Sequence, residues 1–210
     1  MNVLVIAPHP DDEAIGCGGA VCLRAEAGDN VGAVFLTSGE LGLADIRADD
    51  AIRTRESEAR EAAGVLGISM LEFLRLPDQG VARELSTGAT RLAAILESFR
   101  PGVMLLPHPD DQHPDHAAAL PLVRRALGIL GGVAPELRGY EVWTPLSHFH
   151  YVEDITAVVF RKLDAIGRHR SQISRFRYDR AAAGLNQYRG VLAGGCEFAE
   201  VMTWLNPRAG

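Results

Sequence analysis

The stretch that decides the fold is NVLVIAPHPDDEAIGCGGAVCLRAEAGDNVGAVFLT, residues 2–37. It contains two short apolar runs, residues 2–7 and 31–37, which are continuous rather than alternating. Such runs are typical of strands that are buried on both faces of a parallel sheet. Between them, residues 11–28 have the length and period of a helix, and Gly28 is suited to end it. The segment therefore predicts a strand–helix–strand unit.

The same alternation of apolar strands and amphipathic helices continues toward residue 130. Strands separated by helices of this length favour a mostly parallel sheet with helices on both faces, a three-layer α/β sandwich. Ligands then collect at the carboxyl ends of the strands. The further elements that we predict are helices at 52–67, 90–100 and 116–130 and strands at 71–76 and 103–107.

Beyond residue 139 the pattern is weaker, and we predict strands at 140–144 and 157–160 and a helix at 162–173. The chain of 210 residues is long enough for one sizeable core, and its composition marks no linker. We therefore predict a single domain over residues 1–210.

Composition and charge exclude several classes of protein. With 27 acidic and 21 basic residues, the net charge of −6 argues against a nucleic-acid binder. No window approaches the roughly 18 apolar residues of a membrane span, and the first apolar run is too short for a secretion signal. Cys17, Cys22 and Cys196 lack metal-site spacing and predict reduced thiols. We expect a cytoplasmic protein that binds neither nucleic acid nor membranes.

The motif HPDDE at residues 9–13 follows the first predicted strand directly. His9 and Asp12 are three residues apart, so a helical turn brings their side chains to one side, whereas Asp11 points elsewhere. This spacing offers two metal ligands and one free carboxylate. An ordinary helix start is the alternative, since Pro and acidic residues both suit a first helical turn.

The segment PHPDDQHPDH, residues 107–116, follows the strand predicted at 103–107 and contains three histidines and three aspartates. His113 and His116 are again three residues apart. Because the carboxyl ends of parallel strands meet at one edge, both segments can converge. A mixed histidine and carboxylate set suits zinc, with one position left for water. The pentapeptide PHPDD thus occurs twice, and the residues alone leave open whether His108 or HPDH belongs to the second half of the site.

Taken together, these motifs resemble the PIG-L/LmbE-like family of N-acetylglucosamine deacetylases, which are zinc hydrolases. The resemblance is carried by APHPDDEAIGCGG and by HPDH with Asp111 before it. It extends over most of the chain through LTSGELG (36–42), RTRESEAREAAGVLG (53–67), LPDQG (76–80) and HRSQ (169–172). The resemblance implies a Rossmann-like fold and hydrolysis of the N-acetyl group of an amino-sugar conjugate.

The resemblance also assigns the site residues: it implies one zinc ion per chain, bound by His9, Asp12 and His116, with Asp11 as the base and His113 assisting from the opposite side. Amide hydrolysis independently needs a group to accept the proton of water and another to stabilise the oxyanion or protonate the amine. Asp11 suits the first role. His113, held by the carboxylate of Asp115, suits the second.

For the substrate, Arg55 matches the helix arginine that contacts the sugar in the family, and Asp78 matches a turn aspartate that can hold hydroxyls. The resemblance implies a small amino-sugar substrate, whose aglycone the sequence leaves open, and a homo-oligomer. Two alternatives remain: a metal phosphoesterase, which would bind two ions, and a non-catalytic sugar-binding protein on the same fold.

Overall fold

The computed structural model describes residues 1–208, in which seven strands form one sheet in the order β3-β2-β1-β4-β5-β7-β6. Strands β1 to β5 are parallel, and β7 runs antiparallel to both β5 and β6. The predicted α/β fold with a mostly parallel sheet is confirmed. The strands are β1 (Asn2–Ala7), β2 (Asn30–Thr37), β3 (Met70–Leu76), β4 (Val103–Pro107), β5 (Glu136–Tyr140), β6 (Tyr151–Asp154) and β7 (Ala199–Leu205).

Helices cover both faces of the sheet, and the side chains of β1 show how. Val3 and Val5 belong to one buried cluster, which includes residues of α1, α2, α5 and α7. Leu4 and Ile6 belong to a second cluster on the opposite face, with α3 and α4. The helices are α1 (Asp12–Glu26), α2 (Ala48–Leu66), α3 (Leu85–Phe99), α4 (Pro114–Leu130), α5 (Val159–Arg168), α6 (Arg170–Ile173) and α7 (Tyr178–Arg189).

The elements predicted before residue 131 are all present, although α2 and α3 begin four to five residues earlier than expected. Two expectations after residue 139 are wrong. The strand expected at 140–144 ends at Tyr140, and the strand expected at 157–160 is a turn that leads into α5. In α5 the buried residues Val159, Lys162 and Ile166 have helical spacing, so packing overrides the β-branched composition of this run.

The helix expected at 162–173 is interrupted at His169, which separates α5 from α6. Helix α7 and strands β6 and β7 were not predicted. Among the helices of residues 1–208, none combines the length and the apolar character that a membrane crossing needs. The three cysteines carry free thiols.

Helix α1 is interrupted at Cys17, whose φ of −140° and ψ of 18° are not helical. The break leaves backbone N–H groups of the following turn without helical partners. The Glu200 carboxylate on β7 accepts hydrogen bonds from the N–H groups of Gly19 and Ala20, each at 2.8 Å. Lys162 of α5 lies 2.7 Å from Glu200, and both side chains are buried. The second half of α1 is thus capped by a buried ion pair.

We expect Glu200→Gln to lower the free energy of unfolding by about 3–5 kcal/mol, because it leaves the Lys162 ammonium buried without its counter-charge. Urea denaturation followed by circular dichroism measures this change. Glu61→Gln is the matched control, since Glu61 pairs with Arg170 on the surface, where an ion pair contributes little. A loss for Glu200→Gln no larger than for the control would contradict the capping role.

Candidate metal and active site

The two histidine-rich segments meet where the strand order of the sheet reverses. Strands β1 and β4 are neighbours and parallel, with Val3 beside Val103 and Val5 beside Leu105. The chain leaves β1 toward one side of the sheet and β4 toward the other, so a crevice opens between their carboxyl ends. The segment from His9 follows β1, and the segment up to His116 follows β4. Backbone topology therefore brings the two segments together.

Three candidate ligand atoms form a compact triangle in this crevice. His9 Nδ1 lies 3.2 Å from Asp12 Oδ2, His116 Nε2 lies 3.1 Å from the same oxygen, and the two nitrogens are 3.3 Å apart. Zinc bonds of 2.0–2.1 Å in a tetrahedral arrangement place ligand atoms about 3.3 Å apart. All three residues are buried. The donor set and its spacing therefore fit a divalent metal ion.

Carboxylates face the remaining nitrogen of both rings. His9 Nε2 lies 3.3 Å from Asp78 Oδ1 and from Asp115 Oδ2, and His116 Nδ1 lies 3.3 Å from Asp111 Oδ1. Metal-binding histidines are usually oriented in this way by a second carboxylate. Burial lowers the pKa of His116, but Asp12 and Asp111 raise it to about 9. The negative surroundings favour a cation at this position.

Two further groups of possible ligand atoms share His9, one with His113 and His116 and one with Asp78 and Asp115, each within 4.8 Å. The first overlaps the triangle, and the second adds two carboxylates. Both carboxylates already bind backbone N–H groups. Asp115 accepts hydrogen bonds from Gln79 at 2.7 Å and Val81 at 3.1 Å, and Asp78 accepts one from Leu41 at 3.0 Å. We therefore interpret these two aspartates as supports that orient His9 and infer a single metal site.

Asp11 adopts an unusual backbone conformation, with φ 134° and ψ −27°, which is costly for any residue except glycine. Its N–H donates to Glu13 Oε2 at 3.0 Å, and the other Glu13 oxygen lies 3.1 Å from His169 Nε2. Its own carboxylate lies 3.1 Å from Arg55. Burial raises the pKa of Asp11 to about 6, although the Arg55 charge opposes the change. The carboxylate is thus an unligated group with a pKa near neutrality.

His113 caps the start of α4, and its ring centroid lies 4.6 Å from that of His9 and 4.9 Å from that of His116. Its Nδ1 accepts a hydrogen bond from the Asp115 N–H at 3.3 Å. The proton of a neutral His113 ring is therefore on Nε2. Burial and the charges of His9 and His116 lower the pKa of His113, so the ring is neutral at pH 7 and can donate a hydrogen bond through Nε2.

The segment that carries the candidate ligands, Asp11 and His113 matches a family of known proteins. Residues 4–127, more than half of the chain, match the family described as PIG-L, GlcNAc-PI de-N-acetylase. The chain belongs to the PIG-L family. The family resemblance drawn from HPDDE and HPDH is thereby confirmed.

Known relatives of this PIG-L protein include enzymes with different names. The diacetylchitobiose deacetylase of Thermococcus kodakarensis is 30% identical over 190 residues, which cover 81% of this chain and 70% of that protein. A conserved protein of Thermus thermophilus has a TM-score of 0.85 and 30% identity, covering 99% of this chain and 96% of its own. A 4-carboxy-2-hydroxymuconate hydratase of Pseudomonas putida KT2440 has a TM-score of 0.86 and 25% identity, covering 100% and 98%.

One predicted contact in the PIG-L site is wrong. Asp115 was expected to hold His113 through its carboxylate, but that carboxylate lies against His9 and the N–H groups of the loop at 79–81. The reason is the position of Asp115 in the first turn of α4. Only its backbone N–H contacts His113.

The two residues expected to bind substrate border the crevice, and most of their polar atoms contact protein, although the buried Nε of Arg55 has no hydrogen-bond partner within residues 1–208. Arg55 donates to Gly39 O at 2.7 Å and to Pro10 O at 2.6 Å, besides its contact with Asp11. A side chain at position 39, where φ is 62°, would collide with Arg55. Asp78 contacts His9. Their contact with a sugar stays a prediction.

The second PHPDD segment has a different role from the first. His108 Nε2 lies 2.7 Å from the carbonyl oxygen of Thr144. Asp111 accepts hydrogen bonds from the N–H groups of Trp143 and Thr144, at 3.0 and 3.2 Å. No group of possible ligands found within residues 1–208 includes His108. The segment thus anchors the loop after β5.

Several residues of the site were not predicted from the sequence. His169 contacts Glu13, a role that its match to the family did not give. Gln172 lines the crevice. Trp143 is 47% exposed and borders the crevice together with Tyr178. The match of HRSQ, residues 169–172, to the family was the one signal in the sequence that pointed to His169 and Gln172.

We expect one equivalent of divalent metal per chain, and we expect His116→Ala to lose it, since this change removes one of three ligands. His108→Ala is the matched control, because His108 is also a buried histidine of the same segment but binds Thr144. Elemental analysis after dialysis measures both. Retention of metal by His116→Ala together with its loss in His108→Ala would overturn the assignment, and a stoichiometry of two would favour a dinuclear site.

Proposed function

We propose that this protein is a metal-dependent deacetylase that hydrolyses the N-acetyl group of an N-acetylglucosamine-type conjugate, releasing acetate and the free amino sugar. The observation that carries the proposal is the position of Asp11. This unligated carboxylate, with a pKa of about 6, adjoins the buried triangle of His9, Asp12 and His116. Membership of the PIG-L family and the name of the Thermococcus relative support the same reaction.

We assign zinc as the resident ion, held by His9, Asp12 and His116, because two imidazoles and one carboxylate suit zinc and leave a position open. Other first-row divalent metals suit the same ligands. The ion, when bound, supplies Lewis-acid chemistry: it lowers the pKa of water and polarises a carbonyl group. The carboxylates of Asp78, Asp111 and Asp115 hold the two imidazole rings in place for this role.

Asp11 is the proposed general base. At neutral pH a group with a pKa of about 6 is mostly ionised, yet it accepts a proton more readily than an ordinary aspartate. The attacking water gives its proton to Asp11 as its oxygen adds to the acyl carbon. The ion pair with Arg55 and the hydrogen bond from the Asp11 N–H to Glu13 hold Asp11 in the orientation that this transfer needs.

His113 is the proposed donor on the opposite side of the scissile amide. Its Nε2–H can donate a hydrogen bond to the oxyanion of the tetrahedral intermediate. The nitrogen can take up the proton that Asp11 accepted from water as the C–N bond breaks. The backbone N–H of Asp115 fixes the tautomer that this role requires. The crevice around these groups has a cavity volume of ≈ 330 Å³ and is lined in part by Leu41, Gln79 and Phe176, which suits one sugar ring and its acetamido group.

Three alternative functions are a phosphoesterase, a non-catalytic sugar-binding protein and a hydratase. A phosphoesterase would need a second metal, whereas Asp78 and Asp115 are engaged with His9 and backbone N–H groups. A non-catalytic sugar-binding protein would have no need for a free Asp11 beside the ligands. The hydratase relative also adds water to its substrate, and fold alone does not decide between the two reactions. Release of acetate distinguishes the proposed activity from all three.

We also propose that the protein is cytoplasmic and assembles as a homo-oligomer. The three free thiols support a reducing compartment. Val191 and Leu192 are 65% and 66% exposed, and neighbouring Tyr188 is 58% exposed, which supports an interface between copies. Size-exclusion chromatography with light scattering determines the oligomeric state.

We expect acetate release from N-acetylglucosamine conjugates by the zinc-loaded protein, and a loss of about 10²- to 10⁴-fold in kcat for Asp11→Asn with the metal retained. An enzyme-coupled acetate assay and elemental analysis measure the two quantities. Asp110→Asn is the matched control, because Asp110 occupies the place of Asp11 in the second PHPDD and is exposed. Full activity of Asp11→Asn would remove Asp11 as the base.

We expect His113→Ala to keep its metal and to lose about 10²- to 10⁴-fold in kcat, the range for a missing acid or oxyanion donor. Because His113 is not one of the three ligands, metal content and turnover should separate in this variant. Loss of the metal would instead make His113 a ligand, a role for which its ring lies close enough.

A further inference from the structure

A second cavity adjoins the catalytic crevice and differs from it in character. It lies between the start of α1, helix α7 and the loop at 141–145, and its volume is ≈ 290 Å³. Trp143 and Tyr178 border both cavities. Ile15, on the wall of the second cavity, lies one helical turn after Asp11 and donates its N–H to the Asp11 carbonyl at 2.9 Å. The cavity therefore begins one turn of helix from the reacting groups.

Most of the second cavity is apolar. Its walls include Ile15, Val142, Leu185 and Val201. A cavity of about 150 Å³ with such walls accepts a benzene-sized molecule and stays dry without one. The volume of this cavity is large enough for an aromatic ring or a short alkyl chain.

The buried polar side chains on its walls, Glu200, Asn186 and Glu141, have hydrogen-bond partners within the protein. Glu200 binds Lys162 and the N–H groups of α1. Asn186 accepts from Lys162 at 2.7 Å and donates to the Ala199 carbonyl at 3.0 Å. Glu141 pairs with Arg189 and accepts from the Leu146 N–H at 2.6 Å. With these groups occupied, the cavity offers little to a polar ligand.

The boundary between the two cavities is aromatic and is positioned by the metal site. Trp143 and Tyr178 pack edge to face, with ring centroids 5.5 Å apart. The backbone N–H of Trp143 donates a hydrogen bond to Asp111, and Asp111 also faces His116. Burial and the charge of Asp11 raise the pKa of Tyr178 to about 12, so its hydroxyl stays protonated. A sugar in the crevice would contact this pair on one side, with the apolar cavity beyond it.

We propose that the second cavity is a subsite for an apolar alkyl or aryl group attached to the amino sugar. The inference rests on the proposed deacetylase function and specifies its substrate as an N-acetylglucosaminide with an apolar aglycone. Trp143 and Tyr178 border both cavities, so this group would lie across that pair from the sugar. The satisfied buried polar side chains of the walls disfavour a charged or hydroxyl-rich aglycone.

The first test compares the methyl, ethyl, butyl and hexyl N-acetylglucosaminides of one anomeric series as substrates of the zinc-loaded wild-type protein. Each methylene group transferred from water into an apolar site contributes about fourfold. The butyl glycoside has three more methylene groups than the methyl glycoside, so we expect its kcat/KM to be roughly 10- to 60-fold higher. A flat series would overturn the subsite.

The second test locates the effect within the protein. Ala181 of α7 lies on the cavity wall and is exposed, so a larger side chain there can reduce the cavity without disturbing the core. We expect Ala181→Phe to bring the butyl-to-methyl ratio of kcat/KM toward one. Ala183→Phe is the matched control on the same helix, because Ala183 lines neither cavity, and its ratio should equal that of the wild type. Equal ratios in both variants would contradict the assignment.

Binding measurements separate this inference from the proposed function. Isothermal titration calorimetry gives the Kd of the methyl and butyl glucosaminides, the amine products, for the zinc-loaded wild-type protein. If acetate is released from no glycoside, the deacetylase function fails, yet a Kd roughly tenfold or more lower for the butyl compound would still support the apolar subsite. Release of acetate with equal Kd values would remove the subsite and leave the deacetylase function intact.

Discussion

The parallel pairing of β1 with β4 is the constraint on which the site depends. These two strands lie side by side although about a hundred residues separate them along the chain, and the chain leaves them in opposite directions. The crevice between their ends receives His9 and Asp12 from one side and His116 from the other. No local propensity could bring these atoms within 3.3 Å. The sheet does so because its strands are fixed by their hydrogen bonds and by two buried apolar faces.

Buried carboxylates surround the imidazole rings at the ends of these two strands. The carboxylates of Asp12, Asp78, Asp111 and Asp115 surround two imidazole rings, an excess of negative charge that a divalent cation offsets. Two of them also accept hydrogen bonds from backbone N–H groups of loops, Asp115 from the loop at 79–81 and Asp111 from the loop at 143–144. Asp111 and Asp115 therefore orient the proposed ligands and also fix the loops that form the walls of the crevice.

The sequence predicted the features that depend on neighbours along the chain. Continuous apolar runs located the parallel strands, and the three-residue spacing of His9 and Asp12 predicted that their side chains lie together. It could not give the direction of the Asp115 side chain, since a residue beside His113 in sequence need not face it. The contact of Glu13 with His169 spans 156 residues, and no periodicity encodes such a distance. Strand β6 was missed because a strand of four residues at the sheet edge carries a weak apolar signal. Strand β7 lies inside the sheet, but Glu200 and Thr203 interrupt its apolar run.

The cap that Glu200 places on the broken helix α1 has a consequence for biosynthesis. Helix α1 starts with a proposed metal ligand, but the N–H groups beyond its break find their partner only in the last strand of the sheet. During synthesis, β1 to β5 leave the ribosome before β7, so the N–H groups beyond the break in α1 still lack their hydrogen-bond acceptor Glu200. The second half of α1 should therefore become rigid only after β7 has left the exit tunnel, because its hydrogen-bond acceptor is 181 residues further along the chain.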